Sequence, residues 1–485
     1  MHEEQPQNIA FYKDKRFWCI FTSIIESILL GHDLVSFQTL EYALRENDFY
    51  SNKTEEQKVL TYSRLYSCIW ICLTVFGFLT GAIIDKWGLW HSRSVGHLFL
   101  LIGTISAIFI TPTNDYLLWI AYPCFYTGGW LLIESHIFIW PLYPEQFGKI
   151  VALEGVAISA AQLWYTYYKQ ICIPFSNLKY WWMMMLCFIP ISVFRTFYFN
   201  PKLKATKDYS PKIGWEARFD TYEMVRQERL EASNDLNNEN EKHNGSVFLN
   251  KDFWKELIKI PNLCLIIWWF LVELKITFYV SEFQPWLRFK VDDDSEDVSH
   301  YSEVYNYMLL VGIAIEPICG FFIDLFNKFY EKVLKLNSTK TAILMSQGLF
   351  IWGSCAICLQ SFLQATKFYI WTVNLTSALN TLTEATRWTG KFIYTFAVVD
   401  ERFTATILAV QGIFAVLTKL LVPLFGQLAT EVFDGDWSEL CWILGYIEIG
   451  SLIFPLLVIY IFFFGPRSAS TREGSISETE IEDFD

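Results

Sequence analysis

Apolar and polar positions along this chain fall into long blocks instead of alternating. Twelve mostly apolar runs lie at about 17–40, 65–84, 95–112, 116–140, 149–172, 180–199, 261–285, 303–326, 340–362, 367–393, 404–428 and 440–464. A helix needs roughly 20 such residues to cross a ~30 Å hydrocarbon core, so each run predicts one membrane-spanning helix. The runs form two groups of six. Between them lies a polar stretch with as many acidic as basic side chains, including an Asn-rich segment from Ser233 to Ser246 with no core-forming pattern. The chain thus divides into a cytosolic N-terminus 1–16, a six-helix bundle 17–199, a central cytosolic loop 200–260, a second bundle 261–464 and an acidic cytosolic tail 465–485. Met1–Ala10 is polar and acidic, without a cleavable signal pattern.

Composition narrows the class. Only 18% of the 485 residues are charged and 53% are hydrophobic, whereas a soluble domain carries about 25% charge. Twenty Trp and 42 Phe are too many for a disordered chain. A net charge of −13 excludes a basic footprint for nucleic acid. An all-α polytopic membrane protein of twelve transmembrane helices is the expected class, with the lipid bilayer as partner.

Lysine and arginine in the connections set the orientation. With the N-terminus inside, the inner connections hold the excess, helped by Lys328, Lys332, Lys335 and Lys340 after the eighth run. Both termini are expected in the cytosol and the plasma membrane is the expected location. Asn52-Lys53-Thr54 is a glycosylation sequon in the outer connection between runs 1 and 2. The sequons at Asn244, Asn337 and Asn374 fall inside or within a span and read as chance. All 11 cysteines lie in or beside the runs, so no disulfide framework is implied. Cys355-x-x-Cys358, in an apolar run without a nearby His, reads as packing. No nucleotide-binding loop, catalytic constellation or metal-ligand spacing stands out. The expectation is a non-enzyme without a cofactor.

The two halves echo each other. Tyr62-Ser63-Arg64-Leu65-Tyr66 precedes Gly81-Ala82-Ile83-Ile84-Asp85, and Tyr301-Ser302-Glu303-Val304-Tyr305 precedes Gly320-Phe321-Phe322-Ile323-Asp324, at a constant offset of 239. Glu145-x-Phe147 is echoed by Glu401-x-Phe403. Six-helix halves of like orientation are the parallel repeats of a secondary transporter.

Gly81-x-x-x-Asp85-Lys86-x-Gly88, with Arg93 beyond, resembles the loop 2–3 signature of the major facilitator superfamily. The resemblance implies a gating role for Gly81, Asp85, Lys86 and Arg93, and for the second-half counterparts Gly320 and Asp324. Asp85 is expected either to pair with Arg93 or to accept from a neighbouring helix N-terminus. Ile25-Glu26-Ser27 in helix 1, Arg195-Thr196-Phe197-Tyr198-Phe199-Asn200-Pro201 after helix 6, and Glu273-Leu274-Lys275 in helix 7 resemble solute carrier family 43. That family comprises facilitative L-type carriers of large neutral amino acids and an equilibrative nucleobase transporter.

A charge at the bilayer centre costs roughly 2.5–3.5 kcal/mol on insertion scales and usually faces a cavity or a partner. In the layout implied by the resemblance, helices 1, 4, 7 and 10 line the central path, and each holds a glutamate: Glu26, Glu134, Glu273 and Glu384. Glu154, Glu316, Glu448 and Lys419 lie in other spans. Glu384, Arg387 and Lys391 share one helical face. Either Glu384 and Arg387 neutralise each other, or Arg387 or Lys391 reaches a substrate carboxylate. Glu273 and Lys275 point roughly 200° apart, so one of them faces the path. Lys419 is expected to pair with a carboxylate of a neighbouring helix. Glu26 is the first choice for a substrate ammonium. Gln162 offers a neutral hydrogen bond, and Gly128-Gly129 either close backbone approach or helix packing.

The function expected from these residues and the resemblance is facilitative uniport of a small solute, a large neutral amino acid, by a monomer working through alternating access. Three alternatives stay open. One is an equilibrative nucleobase transporter. Another is a proton-coupled or cationic-solute carrier, suggested by the buried acids with His32-Asp33 and His136. The third is a transport-dead sensor or scaffold.

Overall fold

Among the described residues every apolar run contains a helix, because a backbone in hydrocarbon must satisfy its own N–H and C=O groups. A computed structural model describes residues 14–30, 44, 49–143, 146–161, 178–205, 212–213, 250–291, 311–366 and 370–464, with single positions between 297 and 308. The first half contains α1 (Lys15–Leu30), α2 (Glu55–Trp87), α3 (Leu89–Ile108), α4 (Leu118–Ile137), α5 (Phe147–Ala161) and α6 (Leu178–Tyr198). The second contains α7 (Ile260–Lys290), α8 (Gly312–Lys332), α9 (Ser338–Ala365), α10 (Ile370–Val398), α11 (Thr404–Leu420, continued by Val422–Gln427) and α12 (Trp437–Ser451 and Ile453–Phe464). Pro455 lies in the first turn of the last segment, where its missing N–H accounts for the break at Leu452. Seven helical stretches among the described residues are long and apolar enough to cross a membrane by themselves. The short helix Lys251–Leu257, capped by Asn250, leads into α7 with Phe253 buried and Trp254 exposed.

Helix ends follow local chemistry. Thr54 and Gln57 form a reciprocal capping box at the start of α2. Asn337 caps α9 and Asp436 caps α12. Between α2 and α3 the chain reverses at Gly88 with φ +88°, a conformation that a side chain rarely adopts. There the Lys202 carbonyl accepts from Leu89 N at 2.7 Å, where a Cβ on Gly88 would collide.

Packing repeats under a shift of six helices. α3 packs on α4 and α6 as α9 packs on α10 and α12, and α1 meets α5 as α7 meets α11. The bundles join through α2 against α11 and α5 against α8, which are counterparts under the same shift. The 239-residue echo in the sequence therefore marks a real pseudo-repeat. Outward faces are apolar and exposed, as with Leu98, Ile102 and Ile105 on α3 and Phe321, Phe322 and Leu325 on α8. Inward faces carry small and polar residues that let helices approach.

Gly128 packs against α3 at Leu100 and Gly96, and Gly129 against the Leu30 carbonyl of α1, so both serve packing. At the same seam, a Cβ on Gly103 would run into the Phe125 backbone and lie 2.8 Å from the Ala121 carbonyl. Gly103→Val is expected to cost about 1–3 kcal/mol by overpacking. The check is thermal unfolding in detergent. A lowered midpoint is expected, and an unchanged one contradicts the close approach.

Candidate functional site

Charged residues from both bundles converge on one cavity of about 180 Å³. Its wall comes from α2, α4 and α5 on one side and α7, α8, α10 and α11 on the other. The second bundle contributes an ion cluster. Glu273 on α7 accepts from Lys419 of α11 at 2.7 Å and from Arg387 of α10. Arg387 also donates to Glu384 through Nη2 at 2.6 Å and Nε at 2.9 Å. Two carboxylates and two cations thus sum to zero, which limits the cost of placing charges here. Accessibility is unequal: the Glu384 side chain is 28% exposed, against 5% for Arg387. Trp388 donates to Glu384 at 3.2 Å, and the Arg387 guanidinium lies 4.7 Å from the Trp269 ring centre.

The first bundle contributes Glu134, whose Oε2 is buried without a hydrogen-bond partner. Trp130 meets Trp388 across the bundles at 5.8 Å. Trp140–Phe392 at 5.1 Å and Phe138–Phe396 at 6.1 Å close the cavity toward the end of the molecule that carries the α2–α3 turn. That end is the α2–α3 face.

Behind the cavity lies a second polar network, on α1, α3, α4, α5 and α6. Arg93 donates to both oxygens of Glu26 at 2.7 Å, and Arg195 and Ser192 donate to the same carboxylate. His136 sits between Glu26, with Nε2 at 2.7 Å, and Glu154, with Nδ1 at 2.6 Å. Arg93 is held further by Ser135 at 2.7 Å and Thr196 at 2.8 Å. Of this network, Glu154 alone lines the cavity.

A latch joins the bundles at the α2–α3 face. Asp85, at the end of α2, accepts from the backbone N–H groups of Ala405 at 3.3 Å and Thr406 at 2.7 Å, and from the Thr406 hydroxyl at 2.7 Å. These groups open α11, where a carboxylate also meets the positive end of the helix dipole. Lys204, in the segment after α6, donates to Asp85 at 2.5 Å and to the Glu401 carbonyl. Gly81 permits the approach, since a Cβ there would lie 2.7 Å from the Ala405 carbonyl. Just before the α11 segment, burial raises the Asp400 carboxyl. Hydrogen bonds from Arg402 outweigh that burial and hold the group below its usual range. The pseudo-repeat places Asp324 of α8 at the start of α5, where Gly148 N–H donates to it. Gly320 lies against Gly148 and Ala152, as Gly81 lies against Ala405 and Ala409.

Several sequence expectations land elsewhere. Glu134, Glu273, Glu384 and Arg387 line the cavity. Glu26 does not: it is 4% exposed and saturated by two guanidiniums, because Arg93 and Arg195 need a counter-charge of their own within the spans. For the same reason Arg93 leaves Asp85 unpaired with it. Lys86 is exposed, over the Trp87 ring, so the basic partner of Asp85 is Lys204. Lys391 is buried behind the cavity wall, 4.5 and 4.9 Å from the ring centres of Trp269 and Trp388. Lys275 turns away to Gln364 on α9 while Glu273 faces the cavity. Lys419 pairs with Glu273 as expected. Gln162, Trp164, Tyr165, His32 and Asp33 lie outside the described residues. Asn52 is exposed in the turn before α2. Sequence reasoning missed Arg195 and Lys204. Arg195 stands in a motif already singled out, and Lys204 is hidden among the lysines of a polar stretch.

No protein-family model and no curated protein matches the sequence. Solved structures do match. The proton:xylose symporter XylE bound to 6-bromo-6-deoxy-D-glucose, a major facilitator superfamily protein, aligns at TM-score 0.54 and 13% identity, over 93% of this chain and 96% of that one. A double-tryptophan XylE variant aligns at TM-score 0.59 and 13% identity, over 93% and 96%. The human organic anion transporter MFSD10 (TETRAN) aligns at TM-score 0.55 and 14% identity, over 90% of this chain and 99% of that one. The chain therefore has the major facilitator fold, an all-α polytopic membrane architecture of two six-helix repeats.

Proposed function

We propose that this protein carries a zwitterionic small solute, a large neutral amino acid, across the membrane by alternating access. The observation that carries this reading is the Glu384–Arg387 pair, which faces the cavity as a neutral unit with its carboxylate the more exposed partner. A zwitterion can insert between the two, its carboxylate on Arg387 and its ammonium on Glu384 or on Glu134, whose Oε2 has no hydrogen-bond partner. Charge stays balanced throughout, so no isolated ion is buried. Trp130, Trp388, Ile133 and Val151 then supply apolar wall for a large side chain. Trp130 and Trp388 already touch, so this pair leaves no slot for a nucleobase ring between its two indoles.

In this reading the latch at Asp85 holds the α2–α3 face shut, and that face is cytosolic, as the lysines in the connections suggest. Asn52 is then on the outside and open to glycosylation. The family resemblance supports the same solute class. Liposome counterflow with labelled leucine, phenylalanine, arginine and adenine tests it. Exchange of leucine and phenylalanine is expected. Exchange of adenine alone supports the nucleobase reading, of arginine alone a cationic solute, and of none a non-transporting role.

A further inference from the structure

Both ring nitrogens of His136 lie against carboxylate oxygens, at 2.7 Å from Glu26 and 2.6 Å from Glu154. Carboxylates only accept, so each contact needs a proton between its two atoms. Both contacts are hydrogen bonds at the same time only when the ring carries a proton on each nitrogen, one more than a neutral imidazole. We propose that His136 and Glu154 form a proton-binding site fed from the central cavity. The proposal rests on the transport reading for its role and adds a proton to the cycle, so that solute does not move alone.

The groups around His136 define two states. In the proton-loaded state Nε2–H donates to Glu26, Nδ1–H donates to Glu154, and the Ser27 hydroxyl donates to Glu154. In the unloaded state Nε2–H keeps Glu26, and Nδ1 accepts from Ser27, whose oxygen already lies 3.1 Å away. Ser27 is thus placed to donate to either partner.

Charge permits both states. Arg93 of α3 and Arg195 of α6 are the cations facing the site, and Glu26 of α1 and Glu154 of α5 are the anions. Arg195 Nη1 lies 3.1 Å from Nε2 while donating to Glu26. His97 of α3 bonds Ser192, which donates to Glu26, and Cys19 of α1 offers its carbonyl to Arg195. The network totals zero unloaded and plus one loaded, so neither state buries more than one uncompensated charge.

The route follows from placement. Glu154 lines the cavity, whereas His136 is fully buried behind it. A hydronium ion in cavity water gives its proton to the Glu154 carboxylate. The proton then crosses the 2.6 Å bond to Nδ1, leaving water in the cavity and a restored carboxylate. No other bond forms or breaks. Alternating access exposes Glu154 to each side in turn, so loading on one side and release on the other follow.

Two measurements on the full-length protein decide the matter. Nitrogen-15 NMR of labelled histidine, with the His136 signal identified by its loss in His136→Gln, needs no solute. Two N–H protons on His136, with one of them lost in Glu154→Gln, are expected. A single N–H across the whole pH range in which the protein stays folded overturns the site. The second measurement uses proteoliposomes loaded with a pH-sensitive dye. Leucine addition at equal pH on both sides is expected to change the lumenal pH in wild type and not in Glu154→Gln. Leucine counterflow without any pH change in wild type overturns the coupling. Absence of leucine counterflow itself sinks the amino-acid reading and leaves the NMR result to decide the proton site.

Discussion

Leucine counterflow through the Arg387→Ala variant is expected to fall by roughly a hundredfold or more. Removing one partner of a buried ion pair costs about 3–5 kcal/mol, and each 1.4 kcal/mol is a factor of ten. Arg387 is the shared cation between Glu273 and Glu384, and it is nearly buried at the cavity wall. Without it Glu273 keeps Lys419, but Glu384 and Glu134 face the cavity with no guanidinium opposite. A solute carboxylate then meets repulsion where it met a fork of N–H donors. Loss of folding would give the same silence, so the charge-neutral double variant Glu384→Gln, Arg387→Gln is the companion. It removes one anion and one cation together, and it is expected to reach the membrane and to stay transport-dead. Wild-type flux in the double variant would remove Arg387 and Glu384 from the binding site.

The second large effect is expected at the latch. Asp85 accepts three bonds from the start of α11 and one from Lys204. Hydrogen bonds to a charged group contribute about 1.5–3 kcal/mol each. Losing even two of their worth in Asp85→Ala shifts the balance between the two facing states by roughly a hundredfold. The α2–α3 face then opens more of the time. Phe392 packs on Trp140 at the end of the cavity nearest that face, which makes Phe392→Cys a reporter of opening. Faster labelling of that thiol from the α2–α3 face is expected when Asp85→Ala is added, in a background whose exposed cysteines have been replaced. Equal labelling rates would mean that Asp85 does not hold the face shut.

The helices were legible because hydrocarbon imposes a length and a composition on every span. The repeat was legible because Gly81 and Asp85 do the same job as Gly320 and Asp324, a close interbundle approach with a carboxylate at a helix start. Charges within apolar runs pointed to Glu134, Glu273, Glu384 and Arg387, all of which reach the cavity. What a single sequence does not encode locally is which charge answers which. Glu26 is separated from Arg93 by 67 residues and from Arg195 by 169, and that pairing withdraws it from the path. Lys391 lies one turn beyond Arg387 on the same helix, yet the indoles of Trp269 and Trp388 cover it. Lys204 meets Asp85 only because the chain after α6 passes beneath the Gly88 turn.

The central claim is that both charges of the solute are read at once, by Arg387 and by Glu384 or Glu134. Competition against labelled leucine counterflow tests it most directly. The competitors are unlabelled leucine, isoamylamine, which lacks the carboxylate, and 4-methylpentanoate, which lacks the amine. Competition by leucine, with little or none from either single-charge analogue, is the predicted result. Equal competition by all three would show that the apolar chain alone is recognised, and would contradict the account.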